Sequence, residues 1–184
     1  MPIRFSELVA PCFYNVWVNI KKYIYTHYWF SGGRSSTKSS FISLAIVLLL
    51  IEDPEANAII FRKVQDTIGE SVFEQILWAI DKLGLSDYFK AKTIPYRIEY
   101  LPTGQRILFK GLDDPKKIKS IKLKKGYFKL AWFEELSEFG GMEEVQDTII
   151  SIQRGEKGKK FVYFYSYNPP ERMNNWVNAE AAVE

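Results

Sequence analysis

Cysteine and histidine are almost missing from this chain. Cys12 and His27 are the sole examples, which excludes an intrachain disulfide framework and a Cys/His zinc site. Long apolar runs are missing too. The longest, Phe41 to Ile51, has eleven residues, well short of the roughly 20 that span a bilayer. No secretory leader is visible, since Met1 to Ala10 carries Arg4 and Glu7 and has no apolar core. A soluble, cytoplasmic protein with no membrane partner is expected. Internal repeats and low-complexity linkers are absent. Neither sign of charge dominates: 25 Lys and Arg against 22 Asp and Glu leave +3. So mild a bias says less than the distribution of charge along the chain.

What the sequence does have is core material. Of 184 residues, 47 % are hydrophobic and 16 % aromatic. That suits a single domain over 1–184, which at this size buries about 70 % of its unfolded surface without staples. Short β-rich runs alternate with longer apolar stretches, the pattern of an α/β layered fold. Tyr23 to Phe30 reads as a strand ending at the turn Ser31-Gly32-Gly33. Lys38 to Ile51 reads as a buried helix, apolar almost all round, stopped by Glu52-Asp53-Pro54. Ala58 to Phe61 suits an interior parallel strand. Thr67 to Leu83 has apolar residues in steps of three and four, an amphipathic helix ended by Gly84. Arg97 to Leu101 and Arg106 to Phe109 read as a hairpin inserted into the alternation. Phe128 to Phe133 and Phe161 to Tyr167 are further strands, Met142 to Gln153 a helix, and the tail beyond Trp176 a frayed end.

Between the first strand and the first long helix lies Gly32-Gly33-Arg34-Ser35-Ser36-Thr37-Lys38-Ser39. In a phosphate loop, backbone N–H groups curl round β- and γ-phosphates, small residues permit the close approach, and the helix N-terminus adds partial positive charge. Lys38 would reach the phosphate oxygens and the Ser39 hydroxyl would ligate Mg²⁺. Thr37 stands where the usual pattern has glycine, and its branched Cβ narrows the backbone freedom there. An ordinary helix cap is the competing reading.

Leu130 to Phe133 is an apolar strand ending in Glu134 and Glu135. Side chains of successive strand residues diverge, so the two acids can take different tasks: Glu134 the Mg²⁺ shell, Glu135 the attacking water. The bland alternative is a strand reaching solvent. An acidic pair about 95 residues after a phosphate loop, with α/β alternation between, is harder to obtain by chance than either alone. Glu138, Glu143 and Glu144 read as a solvated face.

Ser166 and Asn168 stand at the end of the last strand, and both can hydrogen-bond a phosphate oxygen or a lytic water; a turn capped by Asn-Pro is the alternative. Lys116, Lys117, Lys119, Lys122, Lys124, Lys125 and Lys129 form a run without acids. Such a run suits sequence-independent contact with a DNA backbone or, equally, a solvated loop. Arg34 reads as an arginine finger acting in cis or in trans, or as a structural ion-pair partner. Phe13 and Tyr14 read as core packing, with adenine stacking as the less common alternative.

The segments Gly32 to Ser40, Ile59 to Phe73, Phe109 to Ile121 and Leu130 to Phe139, followed by Tyr165 to Pro170, resemble in order the N-terminal ATPase domain of bacteriophage terminase large subunits. The resemblance implies an additional-strand P-loop NTPase, a three-layer α/β sandwich with a central, mostly parallel sheet. It implies Mg·ATP binding by Gly33 to Ser39 with Asn168, and metal ligation by Ser39 and Glu134. It also implies catalysis by Glu135, Arg34 and Lys38, with a coupling motif at Ser166 to Asn168. Its implied partners are double-stranded DNA, the capsid portal, the small terminase subunit, and further copies in a ring on the portal. Thr37, and Glu134 in place of the commoner aspartate, depart from the strict motifs. The RNase-H-like nuclease domain of full-length relatives has no counterpart here, so cleavage is expected to be absent. The expected function is ATP hydrolysis driving DNA into the procapsid. The alternatives are a non-hydrolysing DNA-binding or scaffold module with a degenerate loop, and a helicase-like ATPase.

Overall fold

The structure, a computed structural model, describes residues 5–33, 35–113, 118, 121–153, 156, 158–172 and 174–181. Among them, seven strands make one sheet. Their spatial order is β1 (His27–Ser31), β7 (Val162–Tyr167), β6 (Tyr127–Glu134), β2 (Ala56–Arg62), β5 (Gln105–Gly111), β4 (Tyr96–Tyr100) and β3 (Phe89–Thr93). The first five run parallel; β4 and β3 extend the sheet antiparallel.

Strand residues alternate between two cores, as a pleat with both faces covered requires. Ala58, Ile60, Leu130, Trp132, Val162 and Phe164 face one core. There they meet helices α2 (Tyr14–Lys21), α3 (Lys38–Glu52) and α4 (Glu74–Lys82), which follow the short α1 (Phe5–Leu8). Ile59, Phe61, Ala131, Phe133, Tyr163 and Tyr165 face the other, covered by α5 (Met142–Gln153) and α6 (Trp176–Ala181). The result is the expected three-layer α/β arrangement with a mostly parallel central sheet. Trp132 is fully buried on the interior strand β6; truncation of such a residue to alanine costs about 3–5 kcal/mol.

Several local expectations need correction. Strand β1 begins at His27, not Tyr23, because α2 occupies the preceding residues and Tyr23, at φ 53°, reverses the chain. The hairpin is not an insertion: β5 pairs in parallel with β2 and continues the sheet, and β3, unforeseen, closes its edge. The helix expected over Thr67 to Leu83 is composite. A 3₁₀ turn (Gln65–Thr67) and a π turn (Gly69–Phe73) precede α4, with Phe73 N–H reaching back to Ile68 O. That winding rotates Phe73 onto Tyr96 and Phe109, while Gly69 abuts the Tyr96 hydroxyl so closely that a Cβ would lie 2.4 Å from it. The tail is not frayed over its first part: Trp176 Nε1 donates to Phe139 O at 2.8 Å and Val177 is buried.

Candidate active site

Parallel strands place their C-terminal ends on one edge, and that edge carries the charged residues of the apolar strands. A cleft of about 400 Å³ lies there, lined by Lys38, Ser39, Arg62, Glu134, Glu135, Glu138, Ser166, Tyr167 and Asn168. Lys38 thus shares one cleft with the acidic pair and with the C-terminal end of β7.

The loop after β1 is tied to the end of β7 and closes on itself. Gly32 N–H donates to Tyr167 O at 3.3 Å, and Ser36 N–H to Gly33 O at 3.1 Å. Lys38 is buried at the first turn of α3, and its ammonium reaches Gly32 O (2.5 Å), Ser36 Oγ (3.0 Å), Asn168 Oδ1 (3.2 Å) and Gly33 O (3.3 Å). Burial lowers the Lys38 pKa below the ordinary lysine value, against the opposing fields of Glu135 and Glu134. Thr37 sits in the left-handed region at φ 56° and ψ 15°, the conformation for which glycine is suited at this position. Ser39 lines the cleft one residue beyond Lys38; Ser35 and Gly33 are exposed. Arg34 lies outside the described residues.

Glu134 ends β6 almost buried. Burial pushes its carboxyl up to about 7; Arg62 opposes that rise, and Glu135 adds to it. Glu135 leaves the strand in a left-handed conformation, φ 53° and ψ 54°, which swings it out of line with Glu134. A non-glycine residue so placed carries roughly 1–3 kcal/mol of backbone strain, and such residues concentrate where geometry serves chemistry. Ser166 is buried and accepts from Trp132 Nε1 at 2.9 Å, leaving its O–H to donate elsewhere.

Arg62 was not singled out by sequence reasoning. It ends β2 and donates from Nη1 to Glu134 Oε2 (3.1 Å) and from Nε to Thr67 Oγ1 (3.1 Å), with Nη2 3.7 Å from Glu138. The signal was available: a charge terminating an interior apolar strand, the same signal that marked Glu134.

Phe13 takes the core position expected of it, stacked on Phe41 with centroids 4.5 Å apart, which closes it to adenine; Tyr14 does not, being exposed and donating its hydroxyl to Ser6 O. Other expected roles fail on position. Lys129 is buried and paired with Asp53 at 2.8 Å, so it leaves the expected DNA-tracking run. Lys116, Lys117 and Lys119 lie outside the described residues, while Lys122, Lys124 and Lys125 are exposed. Glu138 and Glu144 are not a free solvated face, since Glu138 approaches Arg62 and Glu144 holds Lys63 and the Gly140 N–H.

The described residues contain no cluster of three or more His, Cys, Asp or Glu side chains suited to hold a metal alone. One hydroxyl (Ser39) and one carboxylate (Glu134) facing one cleft nevertheless suit Mg²⁺. That ion keeps several waters and takes phosphate oxygens as further ligands, so it needs no protein cage.

Residues 25–181 match the family described as phage terminase large subunit. The chain is similar to the large terminase subunit of Bacillus phage SPP1, 42 % identical over 178 residues covering 96 % of this chain and 42 % of that protein. It therefore spans less than half the length of that relative. In structure it is similar to the large terminase of bacteriophage HK97. The TM-score is 0.64 at 14 % identity, over 90 % of this chain and 34 % of the other. It is similar also to the N-terminal domain of the DNA packaging ATPase of bacteriophage phi29. There the TM-score is 0.61 at 12 % identity, over 88 % and 79 % of the two chains. At such identities these likenesses speak for the fold. No helix among the described residues is long and apolar enough to cross a membrane.

Proposed function

The chain belongs to the phage terminase large subunit family, and from that premise we propose that it hydrolyses Mg·ATP in the cleft between Lys38 and Glu134/Glu135, as the motor part of a DNA-packaging machine. One observation carries this reading: Lys38, Ser39, Glu134, Glu135 and Asn168 line a single cleft at the C-terminal ends of the parallel strands.

In this reading the loop from Gly33 to Thr37 surrounds the phosphates with backbone N–H groups. Lys38 exchanges its carbonyl and hydroxyl partners for β- and γ-phosphate oxygens. Ser39 and Glu134 would hold Mg²⁺, which when bound neutralises charge on those oxygens. Glu135 orients a water and accepts its proton as the water oxygen attacks the γ-phosphorus. The bond from γ-phosphorus to the bridging oxygen then breaks, and ADP leaves with the electron pair. Asn168, already bonded to Lys38, lies where it can report the state of the γ-phosphate to the end of β7. Arg34 would stabilise the charge that develops, either in its own cleft or in that of a neighbouring copy. Double-stranded DNA is the proposed track; the capsid portal and small subunit are the proposed partners, with copies assembling as a ring on the portal in the host cytoplasm.

The test is Glu135→Gln, with nucleotide binding and phosphate release measured separately. Retained Mg·ATP affinity with turnover reduced by about 10²–10⁴ supports the assignment. Turnover at the unsubstituted rate overturns it. Absence of any Mg·ATP binding by the unsubstituted chain would instead favour the scaffold reading.

A further inference from the structure

Charge is sorted along the strand axis. The cleft edge holds Glu134, Glu135 and Glu138 against Lys38 and Arg62. The opposite edge, where β2, β6 and β7 begin, is basic. The overall charge of +3 conceals this polarity.

At that opposite edge the lysines fall into two groups. Lys21, Lys129 and Lys159 are neutralised by Glu52, Asp53 and Glu55, the acids that end α3 and lead into β2. Lys22, Lys122, Lys124, Lys125 and Lys160 are exposed and have no ion pair with a described carboxylate. The second group is assembled by the fold rather than scattered. Asn57 Nδ2 donates to Lys125 O at 2.9 Å, tying that turn to β2. The Tyr127 hydroxyl donates to Lys160 O at 3.2 Å, tying the approach to β7 to the start of β6. Tyr23, next to Lys22, holds the ammonium of Lys160 4.5 Å and that of Lys129 4.9 Å from its ring centre. It does so from a left-handed backbone at φ 53°, strain that a bulky residue keeps only where surrounding contacts impose it.

We propose that this edge, at the N-terminal ends of β2, β6 and β7, is a contact surface for the phosphate backbone of duplex DNA. The inference rests on the motor reading above and deepens it by placing the track at the end of the sheet remote from the nucleotide. Lysine ammoniums without arginine forks suit point-charge contact with phosphates and carry no base readout. The rings of Tyr23 and Tyr127 already carry ammoniums, from Lys129, Lys160 and Lys159, which favours phosphate contact over base stacking. At the cleft edge Glu134, Glu135 and Glu138 offset Lys38 and Arg62, so that edge lacks a comparable group of unpaired ammoniums.

The experiment compares the 184-residue chain with K22Q/K124Q/K125Q/K160Q and with the control K90Q/K92Q, which removes two exposed lysines of edge strand β3. Affinity for a 30-base-pair duplex (a length of about 100 Å) is measured across a salt series, and nucleotide turnover without DNA is measured in parallel. The patch variant is expected to bind at least about tenfold more weakly at low salt. Its slope of log affinity on log salt should be shallower by about two to four, near 0.9 for each phosphate that is no longer neutralised. The control should match the unsubstituted chain. Unchanged slope and affinity in the patch variant, or an equal reduction in the control, overturns the proposal. So does displacement of the duplex by polyglutamate at equal charge concentration, which would point to an acidic protein partner. Basal turnover unchanged in the patch variant keeps the motor reading intact whichever way the DNA arm falls, so the two failures are distinguishable.

Discussion

Arg62 and Glu134 meet across 3.1 Å at the ends of two neighbouring parallel strands, both nearly shut off from solvent. Removing one partner of a buried pair strands the other, which costs more than the pair itself contributes. Arg62→Ala is expected to destabilise the ligand-free fold by about 1–3 kcal/mol, below the usual cost because Glu134 can take up a proton. In Arg62→Ala combined with Glu134→Gln, the second change should cost less than it does alone. Urea denaturation of the four proteins of the cycle measures this. Strict additivity would mean that the contact is energetically empty.

Thr37 allows a test that turns on sign. At a right-handed position alanine stabilises over glycine by roughly 0.4–1 kcal/mol, through the unfolded chain. At φ 56° the order reverses, since the left-handed region costs a residue with a Cβ about 1–2 kcal/mol. Thr37→Gly should therefore be more stable than Thr37→Ala by about 1 kcal/mol in urea midpoints. The opposite order would show that the loop does not adopt the conformation described.

These cases show what the sequence made legible. The parallel sheet could be read because its strands are apolar on both faces, and the cleft because charges such as Lys38 and Glu134 interrupt those runs at one end. Position along a strand is a local property that sequence records directly. What sequence does not record is which residues face each other across strands. Arg62 became meaningful only beside Glu134, 72 residues away. Lys129 looked like one of seven equivalent lysines until Asp53 was found against it. Tyr23 reads as a strand residue for a related reason: the turn it makes after α2 is held by ring contacts with Lys129 and Lys160, more than 100 residues along the chain.

Glu134 gives a pH dependence with an unusual sign. Its folded pKa, near 7, lies above the ordinary value of 4.5. Between those values the ligand-free fold keeps a proton that the unfolded chain has released. Stability should thus fall as pH rises from about 4.5 to 7 and level off above, by on the order of 3 kcal/mol. Glu134→Gln should abolish that slope in denaturation series across the window. A slope that survives the substitution would assign it to another group.

Beneath the basic edge the scaffold is pinned by the Lys129–Asp53 pair. Burial acts to raise the Asp53 pKa, but the hydrogen bond from Lys129 and the Glu55 N–H outweigh it, and the net shift is downward. Lys129 shifts upward: burial opposes its charge, and the hydrogen bond to Asp53 prevails. Both directions mean that the pair favours the folded state where both groups are ionised. Asp53 contributes above its unfolded pKa of 3.8, and the contribution is lost as pH falls through the lower folded value. The Lys129 contribution persists below 10.5 and is lost as pH rises through the higher folded value. Asp53→Asn leaves a lysine side chain 6 % exposed without its counter-ion. The expected cost is about 2 kcal/mol near neutral pH, below the 3–5 kcal/mol of a fully buried pair because Asp53 itself is 28 % exposed. Lys129→Met, which removes the buried charge and keeps the length of the side chain, should cost less than Asp53→Asn. Denaturation midpoints at pH 7 compare the two. If Lys129→Met proves the more damaging, the ammonium's seat over Tyr23 contributes more than its ion pair, and the aromatic ring becomes the anchor of this edge.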